Sequence, residues 1–295
     1  MPSVSEQPCF SSIHIDVARN ATDDFNPFHD KHRWQNVVGN PFSGPIILGF
    51  QMECFIEDRM RHYRSLEKEE ELLSSHNLRF SNYDFKFVNA VLPEQYIELV
   101  TKNSKLSRGE NFCLSNRVAL KANGRTVLLG FKRETQSPLA AVNMQLPENG
   151  CLDDMDDRSY LSGTSIFLKR KYLTTSNAKN FLCGSLVEPA QYIDEIAEKI
   201  RFPETYPCAL LSSALLERAW DQGHDFEQEP LVYLSHSLSI DRLQLAKARS
   251  NEVLHLLSQP ISESKSSPIY DCLGVLGNKR PLFTARISLA RLKDV

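Results

Sequence analysis

Thr22-Asp23-Asp24-Phe25-Asn26-Pro27-Phe28-His29-Asp30 gathers an acid, an amide, a proline and an imidazole into the six residues from Asp24 to His29. Asp16 to Asp23 reads as one or two helical turns. Pro27 has no N–H and biases Asn26 toward extended geometry, so the helix stops there and the stretch is expected on a tight turn. A rigid turn that carries a carboxylate and an imidazole can grip one water molecule between them. Downstream, Gly44-Pro45-Ile46-Ile47-Leu48-Gly49 leads into an apolar segment that reads as a helix. An acid–base pair followed by a glycine-opened helix is expected to form an active site; the alternative for Asp24 to His29 is an ordinary Asx/Pro turn.

Outward from this centre, Phe10 to Val17 reads as a short strand or its approach. Asp30 to Gly44 is a polar loop punctuated by glycine and proline. The helix is expected from about Pro45, in keeping with proline in a first helical turn. Its face is apolar through Phe55 and charged after Glu57, which suggests an exposed end or a connector. Leu78 to Val88, Gln95 to Lys102 and Asn111 to Leu120 read as strands, and Asn123-Gly124 is a hairpin signal into Thr126 to Thr135. Ser137 to Ser159, with Pro138, Pro147, Asn149-Gly150 and the acids Asp153, Asp154, Asp156 and Asp157, breaks the composition and reads as a linker around residues 141–160.

The second half repeats the order without the motif. Ser165 to Tyr172 reads as a strand, Thr174 to Leu182 as helical turns, and Gln191 to Ile200 and Cys208 to Gln222 as helices. Leu231 to Asp241 is an alternating strand with Val232, Leu234, Leu238 and Ile240 on one face, followed by strands over Glu252 to Leu257, Ile269 to Leu276 and Leu282 to Leu292, with a turn at Gly277-Asn278-Lys279. The expected division is a domain over 1–140 that holds the motif and a second over 161–295 that lacks it. His236, on the apolar face of its strand, is a candidate pocket residue. Lys169-Arg170-Lys171 is either a solvated edge or a contact for a phosphate group.

The chain has 295 residues, 41% of them hydrophobic and 24% charged, with a formal net charge of −3. This is an ordinary globular composition, and such a charge leaves no electrostatic footprint for nucleic acid or an anionic membrane. No apolar run reaches the length of a membrane span, and Met1 to Gln7 lacks the pattern of a secretory leader. Seven cysteines without a CxxC spacing argue against a disulfide framework or a zinc cluster and for reduced thiols in a cytoplasm. No metal or redox cofactor is expected.

Asp24-Phe25-Asn26-Pro27-Phe28-His29 resembles, at every defined position, the motif of the MaoC-like (R)-specific enoyl-CoA hydratases, which is an acid, any residue, Asn-Pro, any residue, His. Pro45-Ile46-Ile47-Leu48-Gly49 is similar to the entry of that family's central helix. The resemblance covers roughly Asp16 to Phe55, and the order of elements extends it. It implies an α+β fold of two tandem hot-dog domains, each with a central helix wrapped by an antiparallel sheet. Three departures stand out: Asp23 replaces a glycine, Leu48 replaces a histidine, and the loop between His29 and Gly49 is slightly longer. In family terms Asp24 and His29 hold the water and exchange protons, Asn26 keeps them in register, and the Gly49 N–H stabilises the thioester oxygen. The acyl tail is expected beside the central helix, along Leu48, Phe50, Met52 and Phe55. The implied substrate is a 2-enoyl or 3-hydroxyacyl thioester of CoA or an acyl carrier protein. Alternatives are a thioesterase, a polyketide-tailoring dehydratase or a non-catalytic acyl-binding protein, and a homodimer is an open arrangement.

Overall fold

The computed structural model describes residues 8–109, 111–144, 151–262, 267–277 and 280–292. The expectations on Met1 to Gln7, on Pro147 and Asn149-Gly150, and on Asn278 and Lys279 lie outside the described residues. Helix α1 (Ser12–Thr22) begins inside the stretch read as a strand. Its apolar residues recur at helical spacing: Ile15, Ala18, Ala21 and Thr22 are buried, while Ile13 is 62% exposed. Extended pairing is confined to the residues before it, where Ile97 N donates to Pro8 O and Glu94 N to Phe10 O.

Helix α2 (Gly49–Leu66) starts four residues later than Pro45 suggests. The backbone of Pro45 to Leu48 has other partners: Ile46 N donates to Phe28 O at 3.0 Å and Ile47 N to Val91 O at 2.9 Å. The charged end of α2 is exposed at Arg59, His62 and Ser65 to Lys68, as expected, but Glu57, Asp58 and Arg64 are buried: Glu57 accepts from Thr205 N of the second helical layer, and Arg64 pairs with Glu69. A short α3 (Glu70–Ser75) follows.

Strands β1 (Phe80–Phe87), β2 (Ile97–Thr101), β3 (Lys105–Arg108), β4 (Phe112–Ala122) and β5 (Arg125–Thr135) come next. The β4–β5 hairpin turns on Asn123 (φ 46°) and Gly124 (φ 80°), the left-handed pair that a tight hairpin requires. β3 is the strand without a sequence signal, since Lys105, Ser107 and Arg108 are exposed and carry no apolar alternation. Past the connection lie β6 (Ser159–Tyr160), β7 (Phe167–Leu173) and α4 (Thr175–Gly184).

A small hairpin, β8 (Ile193–Asp194) with β9 (Lys199–Ile200), stands where a helix over Gln191 to Ile200 was expected. Asp194 Oδ1 accepts from Ile196 N and Ala197 N, an Asx turn that breaks the helical ladder, and Ile196 is 99% exposed, so no apolar face forms. Then come α5 (Thr205–Ala209), α6 (Leu211–Asp221), β10 (Leu231–Asp241), α7 (Arg242–Leu245), β11 (Glu252–Ser262), β12 (Ile269–Leu276) and β13 (Arg280–Arg291).

All named strands except β8 and β9 belong to one 11-stranded antiparallel sheet, ordered β2-β4-β5-β1-β10-β13-β12-β11-β7-β6, with β3 on β4. The two halves of the chain join at its centre, where β1 pairs with β10 from Phe80 opposite Asp241 to Lys86 opposite Ser235. Tyr83 and Phe85 from one half and Leu238 and Ile240 from the other lose essentially all solvent contact along this seam. Burial of each such side chain stabilises by about 1.5–3 kcal/mol. On the helical side α1 packs on α4, and Gly184 allows the close approach, since a Cβ there would sit 2.8 Å from that of Ala18. The layout is two helices, α2 and the α5–α6 pair, each wrapped by its own arm of a shared sheet.

Candidate active site

The turn after α1 is held by its own side chains. Asp24 Oδ1 accepts from Asn26 N at 3.0 Å, and Asn26 Oδ1 accepts from Phe28 N at 3.2 Å. These bonds cap a 3-10 turn over Pro27–His29, closed by His29 N donating to Asn26 O. Asn26 Nδ2 reaches across to Leu231 O on β10 at 3.4 Å, which ties the turn to the second half of the chain. Asp24 and His29 end up 3% and 5% exposed. Asp23 takes the left-handed conformation at the end of α1 (φ 51°), and its 68%-exposed side chain pairs with Lys171. Lys169 bonds Asp157 and Glu217, and Arg170 bonds the backbone near Leu152, so the Lys169-Arg170-Lys171 run is spent on internal pairs.

His29 Nδ1 lies 2.8 Å from Ile46 O. A carbonyl only accepts, so Nδ1 carries a hydrogen, and in the neutral ring Nε2 keeps its lone pair. The extended Pro45–Leu48 segment therefore fixes the tautomer as well as the start of α2. His29 and Asn26 line a cavity of about 390 Å³ together with Ile47, Gly49, Met52, Phe87 and Tyr233. Gly49 is the first residue of α2, and the N–H groups of a first turn have no intrahelical partner and face a positive dipole end. A Cβ on Gly49 would come within 3.0 Å of the Phe87 ring.

Asp24 faces a narrow recess of about 30 Å³ beside this cavity, and the two share Asn26, Leu231 and Tyr233 as their dividing wall. Tyr233 hydroxyl and Ser212 Oγ lie 3.0 Å apart. Burial, and then the neighbouring Asp24 carboxylate, push the Tyr233 phenol well up from its ordinary value. A register shift between Tyr233 and Ser235 inserts a bulge at Leu234. One inserted residue reverses the side-chain phase, so Leu231 and Tyr233 share the helix-facing side with His236, Leu238 and Ile240. Val232 and Leu234, expected on that face, leave it.

Of the residues expected along an acyl tail, Met52 lines the cavity, whereas Leu48, Phe50 and Phe55 lie in the core. His236 also lies in the core, stacked on Phe50 and bonded to Glu53, rather than in the cavity wall. Tyr233, Phe87 and Ile46 carry no signal in a single sequence, because the bulge and two long-range contacts bring them to the site. Among the described residues no group of His, Cys, Asp and Glu side chains is arranged to hold a metal ion, and no helix is long and apolar enough to cross a membrane.

No protein-family model matches the sequence, and no curated protein matches it. Solved structures do. A MaoC-like dehydratase superposes with a TM-score of 0.56 at 10% identity, over 98% of this chain and 96% of that one. A protein described as a MaoC domain dehydratase from Chloroflexus aurantiacus J-10-fl gives 0.58 at 7% identity, over 97% and 93%. The full-length peroxisomal multifunctional enzyme type 2 from Drosophila melanogaster gives 0.52 at 9% identity, and this chain spans 48% of its length.

Proposed function

We propose, for a chain with the double hot-dog fold of MaoC-like dehydratases, a hydratase or dehydratase of acyl thioesters. In this reading the substrate is a 2-enoyl or 3-hydroxyacyl thioester of CoA or an acyl carrier protein. The observation that carries it is the convergence on one apolar cavity of an imidazole with a free Nε2, the Asn26 turn and the first residue of a buried helix. In the hydration direction, water adds its oxygen to C3 of the enoyl group as His29 Nε2 takes up one of its protons, and Asp24 joins the exchange from the adjoining recess, past Asn26. Electron density shifts onto the thioester oxygen, which the Gly49 N–H meets, and the proton taken from the water is then passed to C2 as the enolate collapses. Dehydration runs the same steps backward. Asn26 acts by position, since its bonds to Phe28 N and Leu231 O hold the turn against β10. Sites of this size with a few convergent polar groups on apolar walls suit small-molecule chemistry.

The divisions 1–140, 141–160 and 161–295 are part of the same proposal: the domain over 1–140 supplies the acid–base pair and the domain over 161–295 supplies the wall at Leu231 and Tyr233. The test is hydration of a crotonyl thioester. Asp24→Asn and His29→Ala should each lower turnover by about 10²–10⁴-fold in a folded protein. Hydration that persists in both variants would sink the assignment. Release of free thiol without hydration would identify a thioesterase instead.

A further inference from the structure

Beneath the cavity floor lies a pair of ionisable side chains for which the reading above has no use. Glu53, one turn along α2 from Gly49, and His236 on β10 are each 0% exposed, and His236 Nδ1 is 2.9 Å from Glu53 Oε1. Glu53 Oε2 and His236 Nε2 have no hydrogen-bond partner among the described residues. The imidazole stacks on Phe50 with ring centroids 4.4 Å apart, and Phe87 and Tyr233 meet it at steep angles. Its Cε1 lies 3.5 Å from the point where a Cβ on Gly49 would stand.

Such a pair is expensive to keep in a core. An apolar pair of the same volume would pack at least as well, and a lone buried carboxylate needs a proton or a counter-charge. The other titratable side chains in the field of Glu53 are the Cys208 thiol and the Tyr233 phenol. Both are pushed up chiefly by burial, and neither can supply a positive charge. Among the described residues, His236 is the basic side chain within ion-pair distance of Glu53, and it is a cation when protonated. A proton on its ring sets the positive end of the pair against Gly49 and the negative end deeper along α2. The reverse arrangement would oppose negative charge at the Gly49 N–H.

We propose that Glu53 and His236 form an electrostatic brace behind the oxyanion position: an imidazolium, held by a buried carboxylate, faces Gly49 from inside the core and favours negative charge on the thioester oxygen. Both are positioning residues, since neither lines the cavity. The brace rests on the hydratase reading for its substrate but not for its geometry. It also gives Gly49 a second reason to lack a side chain, because a Cβ would meet the ring of His236 as well as that of Phe87.

Two measurements test it. In the folded wild-type protein at neutral pH, ¹⁵N shifts of the His236 ring, assigned by their loss in His236→Gln, should report both nitrogens protonated; a neutral imidazole would overturn the brace without recourse to any variant's stability. An acetoacetyl thioester, whose enolate absorbs in the near ultraviolet, should show a raised enolate fraction when bound. Glu53→Gln and His236→Gln should each cut that enhancement, and kcat for hydration, by about tenfold, with KM within about twofold. An unchanged enolate signal in both variants overturns the brace while leaving the hydratase reading intact. An enhanced signal in a protein that does not hydrate enoyl thioesters keeps the brace and removes that reading. No enhancement in the wild type overturns the brace.

Discussion

The chain builds two helix starts against one sheet and treats them in opposite ways. At the start of α2, a glycine opens onto an apolar cavity beside His29. At the start of α5, the Glu57 carboxylate from α2 accepts from Glu204 N at 2.8 Å, Thr205 N at 2.9 Å and Thr205 Oγ1 at 2.8 Å. The space beside it, about 290 Å³, is walled by Tyr83, Lys132, Glu134, Glu204 and Arg242. Both helix starts favour negative charge. One is satisfied by a side chain of the same protein, and the other is the position proposed above to meet a thioester oxygen. On that proposal, the difference between a site and a structural joint is whether an internal carboxylate has filled the place of an oxyanion.

Substitutions at the two helix starts should separate function from stability. The largest effect is expected for Gly49→Ala, whose Cβ meets Phe87 at 3.0 Å. The N–H remains, but the methyl forces Phe87 to give and shifts the helix start against the cavity, so kcat for thioester hydration should fall by about 100-fold, as much as losing one oxyanion donor costs, with a smaller change in the melting midpoint than Glu57→Ala. Glu57→Ala should do the reverse. It strands two backbone N–H groups and a hydroxyl, should destabilise by about 2–3 kcal/mol in denaturant titrations, and should leave hydration within about threefold. A variant that lost activity in step with stability would erase the contrast.

The joint should also respond to pH. Burial, then the nearby Glu204 carboxylate, push Glu57 up to about 7. Glu204 goes the other way: burial pushes it up, but the Lys132 and Arg242 charges and bonds from Ser81 and Tyr83 outweigh this and bring it to about 2. An acid raised on folding contributes stability that is present in full below its unfolded value and is lost as pH rises through its folded one. Stability should therefore fall between about pH 4.5 and 7, by ~1–2 kcal/mol after allowance for the Glu204 coupling, and Glu57→Gln should flatten that slope. Glu204 contributes in the opposite sense below that window, its share being lost as pH falls toward 2. The smallest effect is expected at Asp23→Gly, which keeps the left-handed backbone and loses only the exposed pair with Lys171. It should shift stability by less than ~0.5 kcal/mol and leave turnover unchanged.

The elements that sequence reading places well are those with a local cause. Pro27 opens the 3-10 turn that carries His29 past the end of α1, Asn123-Gly124 turns a hairpin, and alternation marks β1, β4 and β13. The MaoC-like fold followed from the Asp24 to His29 motif and the order of elements. What escaped reading depends on partners distant in the chain. Glu57 stands at the edge of the charged end of its helix and Glu53 on its apolar stretch, and neither shows in the sequence that it bonds, buried, to Thr205 or to His236. Ile46 gives no hint that its carbonyl sets the tautomer of His29, and the bulge that turns Tyr233 inward has no residue signature. Gln191 to Ile200 has the composition of a helix, but an Asx turn at Asp194 overrides it.

The central seam also has a consequence for synthesis. β1 is complete about 150 residues before β10, its partner. At ordinary translation rates of about 5–20 residues per second, the nascent chain carries an unpaired apolar edge for roughly 8–30 seconds, long enough for a neighbouring nascent chain on the same message to offer its own. Pauses between the codons for the two strands would therefore lower the yield of soluble protein, and a chaperone that shields that edge would restore it.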